Sequence, residues 1–248
     1  MMSKDDSGQF ELECRNEIAK MIEDKSLNAS AHDFFLKAQE HKYSYHFKWM
    51  GVPIIQYPQD IVAMQELIWQ IQPDIIVETG IARGGSIVFY ASMLSLLGQD
   101  RCVVGIDIDI RAHNKKVIDD HPMCHLIELI EASSTDPETV KQVKRICEGK
   151  RVLVVLDSNH THEHVLAELN AYESLVAKGS YIVVMDTVIE DLPDNAFPNR
   201  SWGVGDSPKS AVKEFLKDNK RFEIDVEHHG KLLLSVAPSG YLRCLEDQ

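Results

Sequence analysis

Long hydrophobic runs are missing from this chain of 248 residues. No stretch approaches the roughly 20 consecutive apolar residues that a membrane-spanning helix requires, so we expect no membrane span. The N-terminal segment MMSKDDSGQFELECRNE is polar and acidic, unlike the apolar core of a secretory signal. Cysteine is also scarce: there are five, scattered along the chain, and none forms a CxxC pair. We therefore expect a cytoplasmic protein with reduced thiols.

Positive charge is in short supply as well. The 26 Lys and Arg residues stand against 39 Asp and Glu, which gives a formal net charge of −13. Because binding to phosphate backbones requires a basic surface, nucleic acid is not an expected partner. A cation, or a ligand that carries positive charge, fits this balance better. The length suits one sizeable α/β domain with an appended segment.

Apolar runs and helical patterns alternate through most of the chain. The predicted strands are DIIVET, RCVVGIDID, CHLIELIE, RVLVVLDS and YIVVMDT. The central ones are continuous apolar runs, which is typical of parallel strands buried on both faces. The alternation predicts the α/β class, with a Rossmann-like, mostly parallel, doubly wound sheet. The segments RFEIDVE and KLLLSVAP are separated only by HHG, so we expect them to pair as an antiparallel hairpin at one edge.

The same pass along the chain predicts one main domain with an N-terminal extension. Apolar residues recur at helical spacing to about Trp49, and the aromatic segment YSYHFKWMGVPIIQYP then predicts a loop. A helix restarts at Pro58, which suits the first position of a helix. We therefore expect an N-terminal helical extension over residues 1–57 and the main domain over residues 58–248.

Acidic residues stand at the ends of four predicted strands: Glu78, Asp107, Asp157 and Asp186. In open α/β sheets, ligands bind outside the carboxyl ends of the strands. A desolvated carboxylate is unfavourable unless it has a partner, so four of them at one edge predict a binding site.

The loop after the first of these strands, TGIARGGS, is rich in glycine but does not have the GxGxxG spacing of dinucleotide-binding loops. Gly80, Gly84 and Gly85 allow a ligand to approach the backbone closely. Glu78 beside this loop would repel a pyrophosphate and attract a cationic sulfonium and its ammonium group. The pattern therefore disfavours a nicotinamide dehydrogenase.

The motif E-T-G-x-x-x-G-G-S followed by G-I-D resembles the nucleotide loop of class I S-adenosylmethionine (SAM)-dependent methyltransferases. From about Tyr43 to Arg243, the chain is similar to the cephalosporin hydroxylase/rhamnosyl O-methyltransferase family, on the segments GVPIIQYPQDIVAMQELIWQIQPDIIVETGIARGGS, LDSNHTHEHVLAEL, YIVVMDT and PSGYLR. The resemblance implies a SAM-dependent O-methyltransferase that acts on a hydroxyl of a small-molecule or sugar-containing metabolite, assisted by Mg²⁺. A non-haem iron hydroxylase is not expected, because no histidine is followed two residues later by an acid.

The resemblance also assigns roles to individual residues. It implies that the methionine end of the cofactor meets the loop residues Gly80, Gly84, Gly85 and Ser86, and that Glu78 lies beneath it. Asp107 would hold the ribose hydroxyls. Ser133 and Ser134 would border the adenine.

The resemblance places the metal at Asp157 and Asp186. Metal-dependent relatives end the fifth strand on two adjacent acids or an acid–amide pair, but the first of these positions is Met185 here. A weaker site, a site remade with a histidine, and no site at all therefore remain open.

Methyl transfer to a hydroxyl also needs a base. His160 lies three residues after Asp157, at the offset where catechol-type relatives have a lysine, and an imidazole titrates near neutral pH. We expect His160 and Asp157 to be catalytic, with His162 as the competing base. The loop DNAFPNRSWGVGDSP contains Trp202 among glycines, which indicates a lid or a wall for the substrate.

Two other functions stay open. The segment HTHEH, His160 to His164, matches the inverted zinc peptidase pattern H-x-x-E-H with Glu163, although that motif belongs inside a helix. The N-terminal helices also permit a non-catalytic module that binds SAM and assembles. The family resemblance implies a homo-oligomer.

Overall fold

The computed structural model describes residues 4–98, 100–194 and 196–247. The α-helices of this part are α1 Lys4–Glu23, α2 Lys25–Glu40, α3 Pro58–Ile71, α4 Gly85–Leu97, α5 Ala112–Asp119, α6 Pro137–Ile146, α7 His162–Tyr172, α8 Pro208–Asp218 and α9 Val226–Gly230. Its strands are β1 Phe47–Trp49, β2 Val52–Ile54, β3 Ile75–Thr79, β4 Cys102–Asp107, β5 Ile127–Glu131, β6 Val152–Leu156, β7 Tyr181–Val184, β8 Phe222–Ile224 and β9 Tyr241–Cys244.

The main sheet has seven strands in the order β5-β4-β3-β6-β7-β9-β8. The first five strands in this order, β5, β4, β3, β6 and β7, run parallel to one another. Strand β9 is antiparallel to both β7 and β8. Chain order reverses beside β3, which pairs with β4 on one side and β6 on the other. This confirms the predicted Rossmann-like sheet and places its switch point at the carboxyl end of β3.

Hydrophobic cores cover both faces of the sheet. Ile76, Val155 and Val183 point to the face packed by α3 and α4. Val77 and Val154, one residue along, point to the face packed by α6, α7 and α8. Because successive strand residues alternate between faces, burial on both sides requires the continuous apolar runs seen in the sequence.

The closing strands differ from the prediction. β8 does pair with an antiparallel edge partner, but that partner is β9, and KLLLSVAP forms no strand. Asp225 follows β8 and caps α9, where its side chain accepts a hydrogen bond from the backbone N–H of His228. The segment after α9 bonds instead to the buried Asp60, whose carboxylate accepts from the backbone N–H of Val236 at 3.0 Å.

The N-terminal segment is helical in α1 and α2, but the predicted loop after them contains more structure. A 3₁₀ turn spans Tyr43–His46, and β1 and β2 form a short antiparallel hairpin. Trp49 at the end of β1 donates a hydrogen bond from Nε1 to Ser92 Oγ of α4 at 2.9 Å. The division at residues 57 and 58 coincides with the start of α3 and remains a prediction, and residues 1–3 lie outside the described part. None of the described helices combines the length and apolar character that crossing a membrane would take.

Candidate active site

A cavity of about 540 Å³ opens where β3, β4, β5 and β6 end. The carboxyl ends of parallel strands meet at one edge, so side chains distant in sequence converge there. The cavity brings together seven of the residues predicted from sequence: Gly80, Asp107, Ser133, Ser134, Asp157, His160 and Asp186. Tyr45 and Ile55, from the N-terminal segment, line it as well.

Asp107 is held in a fixed orientation at the end of β4. Its Oδ2 accepts a hydrogen bond from the backbone N–H of Ile81 at 3.0 Å, and its Oδ1 accepts from that of Asp109 at 3.1 Å. A carboxylate has about four acceptor positions, so two remain for a ligand. Adjacent hydroxyl groups, such as those of a ribose, fit an acceptor of this kind.

The three loop glycines serve different purposes. Gly80 lines the cavity with φ +83°, and a Cβ there would lie 2.1 Å from the backbone oxygen of Asp157. Gly84 packs against Ile118, while a Cβ on Gly85 would lie 2.2 Å from the carbonyl oxygen of Pro53 in β2. Gly84 and Gly85 do not line the cavity, so their predicted contact with the cofactor remains a prediction, whereas their packing is evident.

Glu78 lies at the end of β3, outside the cavity lining, and is fully buried. Ser86 Oγ donates to its Oε2 at 2.9 Å, whereas Oε1 is buried without a hydrogen-bond partner among the described residues. Burial raises the pKa of the Glu78 carboxyl to about 8, because desolvation disfavours the charged form. A buried acceptor without a partner is unfavourable unless a donor reaches it.

Asp157, His160 and Asp186 form a cluster in which one ligand atom from each lies within 4.8 Å of the others. His160 Nε2 is 3.1 Å from Asp186 Oδ2. Burial, followed by the charges of Asp186 and Glu78, raises the pKa of the Asp157 carboxyl well above its usual range. Two carboxylates and one imidazole could hold a divalent cation. The buried Met185 contributes no ligand, and His160 supplies the third polar group.

Trp202 lies against His160. Their ring centroids are 5.3 Å apart at 82°, and Phe197 packs on the indole at 4.8 Å. The loop is anchored at Asp206, whose Oδ1 accepts from the backbone N–H of His162 at 2.6 Å. The loop residue Asn195 lies outside the described residues. The contact with His160 is consistent with a substrate wall, which stays a prediction.

The competing base and the zinc peptidase pattern do not fit this geometry. His162 contacts Ser210 Oγ at 2.8 Å and Glu214 Oε2 at 3.2 Å, and it does not line the cavity. His160 precedes α7, so the H-x-x-E-H pattern is not contained in a helix. His164 contacts Glu168, not the Asp157 cluster, which is the one three-residue cluster of this kind in the described part of the chain.

Sequence reasoning missed a polar network beside the cavity. His164 Nε2 lies 3.3 Å from Oε1 of the fully buried Glu168, and the two residues are one helical turn apart on α7. The oxygens of Ser134 and Ser158 complete the network. The i, i+4 spacing of His164 and Glu168 was the signal available in the sequence.

Comparisons with known proteins found relatives over most of the chain. The family model "Rhamnosyl O-methyltransferase/CmcI" matches residues 41–245. The rhamnosyl O-methyltransferase of Mycobacterium tuberculosis (strain ATCC 25618 / H37Rv) is 31% identical over 201 residues, which cover 78% of this chain and 76% of that protein. The protein of the same name from Mycobacterium leprae (strain TN) is 29% identical over 197 residues, covering 78% and 81%.

Solved structures share the fold. A CmcI structure with Mg and SAM covers 81% of this chain and 77% of its own, with a TM-score of 0.55 and 18% identity. An O-methyltransferase from Bacillus cereus in complex with SAH covers 80% and 82%, with a TM-score of 0.50 and 14% identity. The predicted class, an O-methyltransferase, is thereby confirmed at the level of the family. The chain belongs to the rhamnosyl O-methyltransferase/CmcI family.

Proposed function

We propose that this protein transfers the methyl group of SAM to a hydroxyl of a sugar-containing metabolite, with a divalent cation, Mg²⁺, at Asp157 and Asp186. The observation that carries this proposal is the cavity itself. It holds an oriented ribose-type acceptor, Asp107, and the cluster of Asp157, His160 and Asp186 within the same 540 Å³.

The described residues fit the cofactor. Asp107 would accept hydrogen bonds from the ribose hydroxyls, and Ser133 and Ser134 would border the adenine. Gly80 lines the cavity, and only a residue without a side chain fits there, because a Cβ would collide with the backbone of Asp157. The unpartnered Oε1 of Glu78 would accept from the ammonium group at the methionine end.

The residues at the other side of the cavity fit a hard cation. Asp157 and Asp186 offer carboxylate oxygens, which Mg²⁺ prefers, and such sites commonly keep several waters. When bound, the cation would lower the pKa of the acceptor hydroxyl and fix its approach, and SAM would supply the methyl group. The chain itself aligns the two reactants, and alignment accounts for a large part of such rate enhancements.

His160 is the proposed general base. Asp186 Oδ2 lies beside Nε2, so this acid orients the imidazole with its N–H on Nε2. Nδ1 is then available to take the proton from the acceptor hydroxyl as the C–O bond forms and the bond from carbon to sulfur breaks. The products are the methyl ether, S-adenosylhomocysteine and a protonated His160.

The acceptor class rests on the relatives and on the aromatic wall. The mycobacterial relatives are named rhamnosyl O-methyltransferases. Trp202 offers a large apolar surface next to the proposed base, and aromatic faces bind apolar surfaces such as the C–H faces of sugar rings. Homo-oligomeric assembly, a cytoplasmic location and the absence of a nucleic-acid partner stay predictions.

The test combines binding and turnover. Calorimetry with S-adenosylhomocysteine should show binding, and a screen of rhamnosylated and other hydroxylated acceptors with SAM should yield a methyl ether that EDTA suppresses and Mg²⁺ restores. Binding without turnover on any acceptor would favour the non-catalytic assembly module. Absence of binding would refute the proposal.

A further inference from the structure

A buried carboxylate organises the wall of the cavity next to Ser133 and Ser134. Glu168 is fully buried on α7, and its Oε1 accepts hydrogen bonds from Ser134 Oγ at 2.5 Å and from Ser158 Oγ at 2.7 Å. His164 Nε2 lies 3.3 Å from the same oxygen. Tyr172, further along the helix, donates from its hydroxyl to the backbone oxygen of Ser134 at 2.6 Å. Hydrogen bonds with α7 therefore fix both Ser134 and Ser158 in this wall.

These contacts determine which nitrogen of His164 carries the hydrogen. The single hydrogen of each serine hydroxyl is donated to Glu168, so each serine Oγ can only accept from His164. Nε2 lies 3.2 Å from Ser134 Oγ and 3.1 Å from Ser158 Oγ, in addition to Glu168 Oε1. Since Nε2 faces three acceptors, it must be the N–H donor, and in the neutral ring Nδ1 carries the lone pair.

Nδ1 of His164 makes no hydrogen bond with the described residues. The imidazole lines the cavity and keeps 22% of its side-chain surface exposed. In the neutral residue, Nδ1 is therefore the acceptor that is left for a ligand at this end of the cavity.

We propose that Nδ1 of His164 accepts a hydrogen bond from the exocyclic amino group of the cofactor's adenine, and that Glu168 is a positioning residue that fixes the tautomer required. This inference rests on the proposed function, which places the adenine beside Ser133 and Ser134. It gives the site a way to distinguish adenine from bases that carry a carbonyl at the same position. A polar group placed to bond one partner discriminates strongly against an analogue that cannot make the bond.

Protonation of His164 reverses this selectivity. The hydrogen bond and negative charge of Glu168 raise the pKa of the imidazole above its ordinary value. The charge of Glu168 also acts on Tyr172, on the same helix, and on Asp157, which follows β6. As the pH falls, Nδ1 gains a hydrogen and becomes a donor, which matches a carbonyl and opposes an amino group.

The experiment compares S-adenosylhomocysteine with S-inosylhomocysteine, which has a carbonyl in place of the adenine amino group. Calorimetry at pH 8 should give a preference of about tenfold for the adenosyl compound, as expected for about one hydrogen bond gained or lost. The ratio of the two affinities should fall as the pH is lowered to 6. The ratio is the informative quantity because both compounds share the homocysteine end, so effects arising there cancel.

His164→Phe keeps a ring of similar shape but has no nitrogen, so it offers no acceptor at the Nδ1 position. We expect its preference to fall below about twofold. His162→Phe, on the same helix but outside the cavity lining, is the matched control and should keep the preference of the unaltered protein. Equal affinities of the unaltered protein for the two compounds at pH 8 would overturn this inference while leaving the proposed function intact. Failure of both compounds to bind would instead overturn the proposed function.

Discussion

Glu78 should couple cofactor binding to the release of a proton. The carboxyl is fully buried, and its pKa is raised to about 8 because desolvation outweighs the hydrogen bond from Ser86. At neutral pH it is therefore mostly protonated in the free protein. The proposed ammonium ligand favours the carboxylate, so binding must expel this proton.

The size of the effect follows from that pKa. With a value of about 8, roughly 1% of the free protein has an ionised Glu78 at pH 6 and roughly half at pH 8. If only this form binds the ammonium, the affinity for S-adenosylhomocysteine should rise about 50-fold between the two pH values. The direction of the pH dependence follows from the raised pKa of Glu78. The affinity for S-adenosylhomocysteine decreases as the pH falls through that pKa.

Calorimetry in two buffers with different heats of ionisation measures the released proton directly. Close to one proton should be released at pH 7 in the unaltered protein. Glu78→Gln resembles the protonated carboxyl in shape and cannot titrate, so most of the release and of the pH slope should disappear. The same slope and the same proton count in both proteins would refute the role of Glu78.

Three further substitutions test separate parts of the structure. Asp107→Ala should weaken S-adenosylhomocysteine binding by about 10- to 100-fold, from roughly 1.5–3 kcal/mol for hydrogen bonds to a charged group, whereas the exposed Asp109→Ala should leave calorimetric affinity unchanged. His160→Ala should slow turnover by roughly 10²-fold with unchanged cofactor affinity; a loss of Mg²⁺ affinity that accounts for the slower turnover would identify His160 as a metal ligand. Asp60→Ala leaves the hydroxyl of Ser235 and the N–H of Val236 without their acceptor. It should therefore lower the free energy of unfolding, measured by urea denaturation, by about 2–4 kcal/mol. An unchanged denaturation midpoint would contradict this.

The central sheet was predictable because burial on both faces leaves a direct trace in the sequence. Strands such as β3 and β6 are fully buried along their whole length, so each appears as an unbroken apolar run. The edge was less predictable, because Leu232 and Val236 are buried in irregular structure and look like strand residues. The backbone N–H of Val236 donates to the carboxylate of Asp60, which lies 176 residues away along the chain, and local patterns contain no information about such a contact.

The same distinction holds at the site. Residues at strand ends, such as Asp107 and Asp157, could be located from the sequence because topology alone brings them to one edge. The roles of Gly84 and Gly85 could not be separated from that of Gly80, since all three satisfy the same loop pattern. Only the position of β2 shows that Gly85 makes room for Pro53.

Histidine placement shows why chemistry requires the structure. The segment HTHEH contains three imidazoles within five residues, yet each meets a different acid: His160 meets Asp186, His162 meets Glu214, and His164 meets Glu168. The start of α7 separates the first from the other two, and helical spacing then turns the side chains of the remaining two in different directions. One segment therefore contributes the proposed general base, His160, a contact outside the cavity, His162, and the proposed hydrogen-bond partner of the adenine, His164. Replacing His160 with phenylalanine should therefore impair turnover, and the same change at His162 should impair neither turnover nor selectivity. At His164 it should impair the selectivity for adenine.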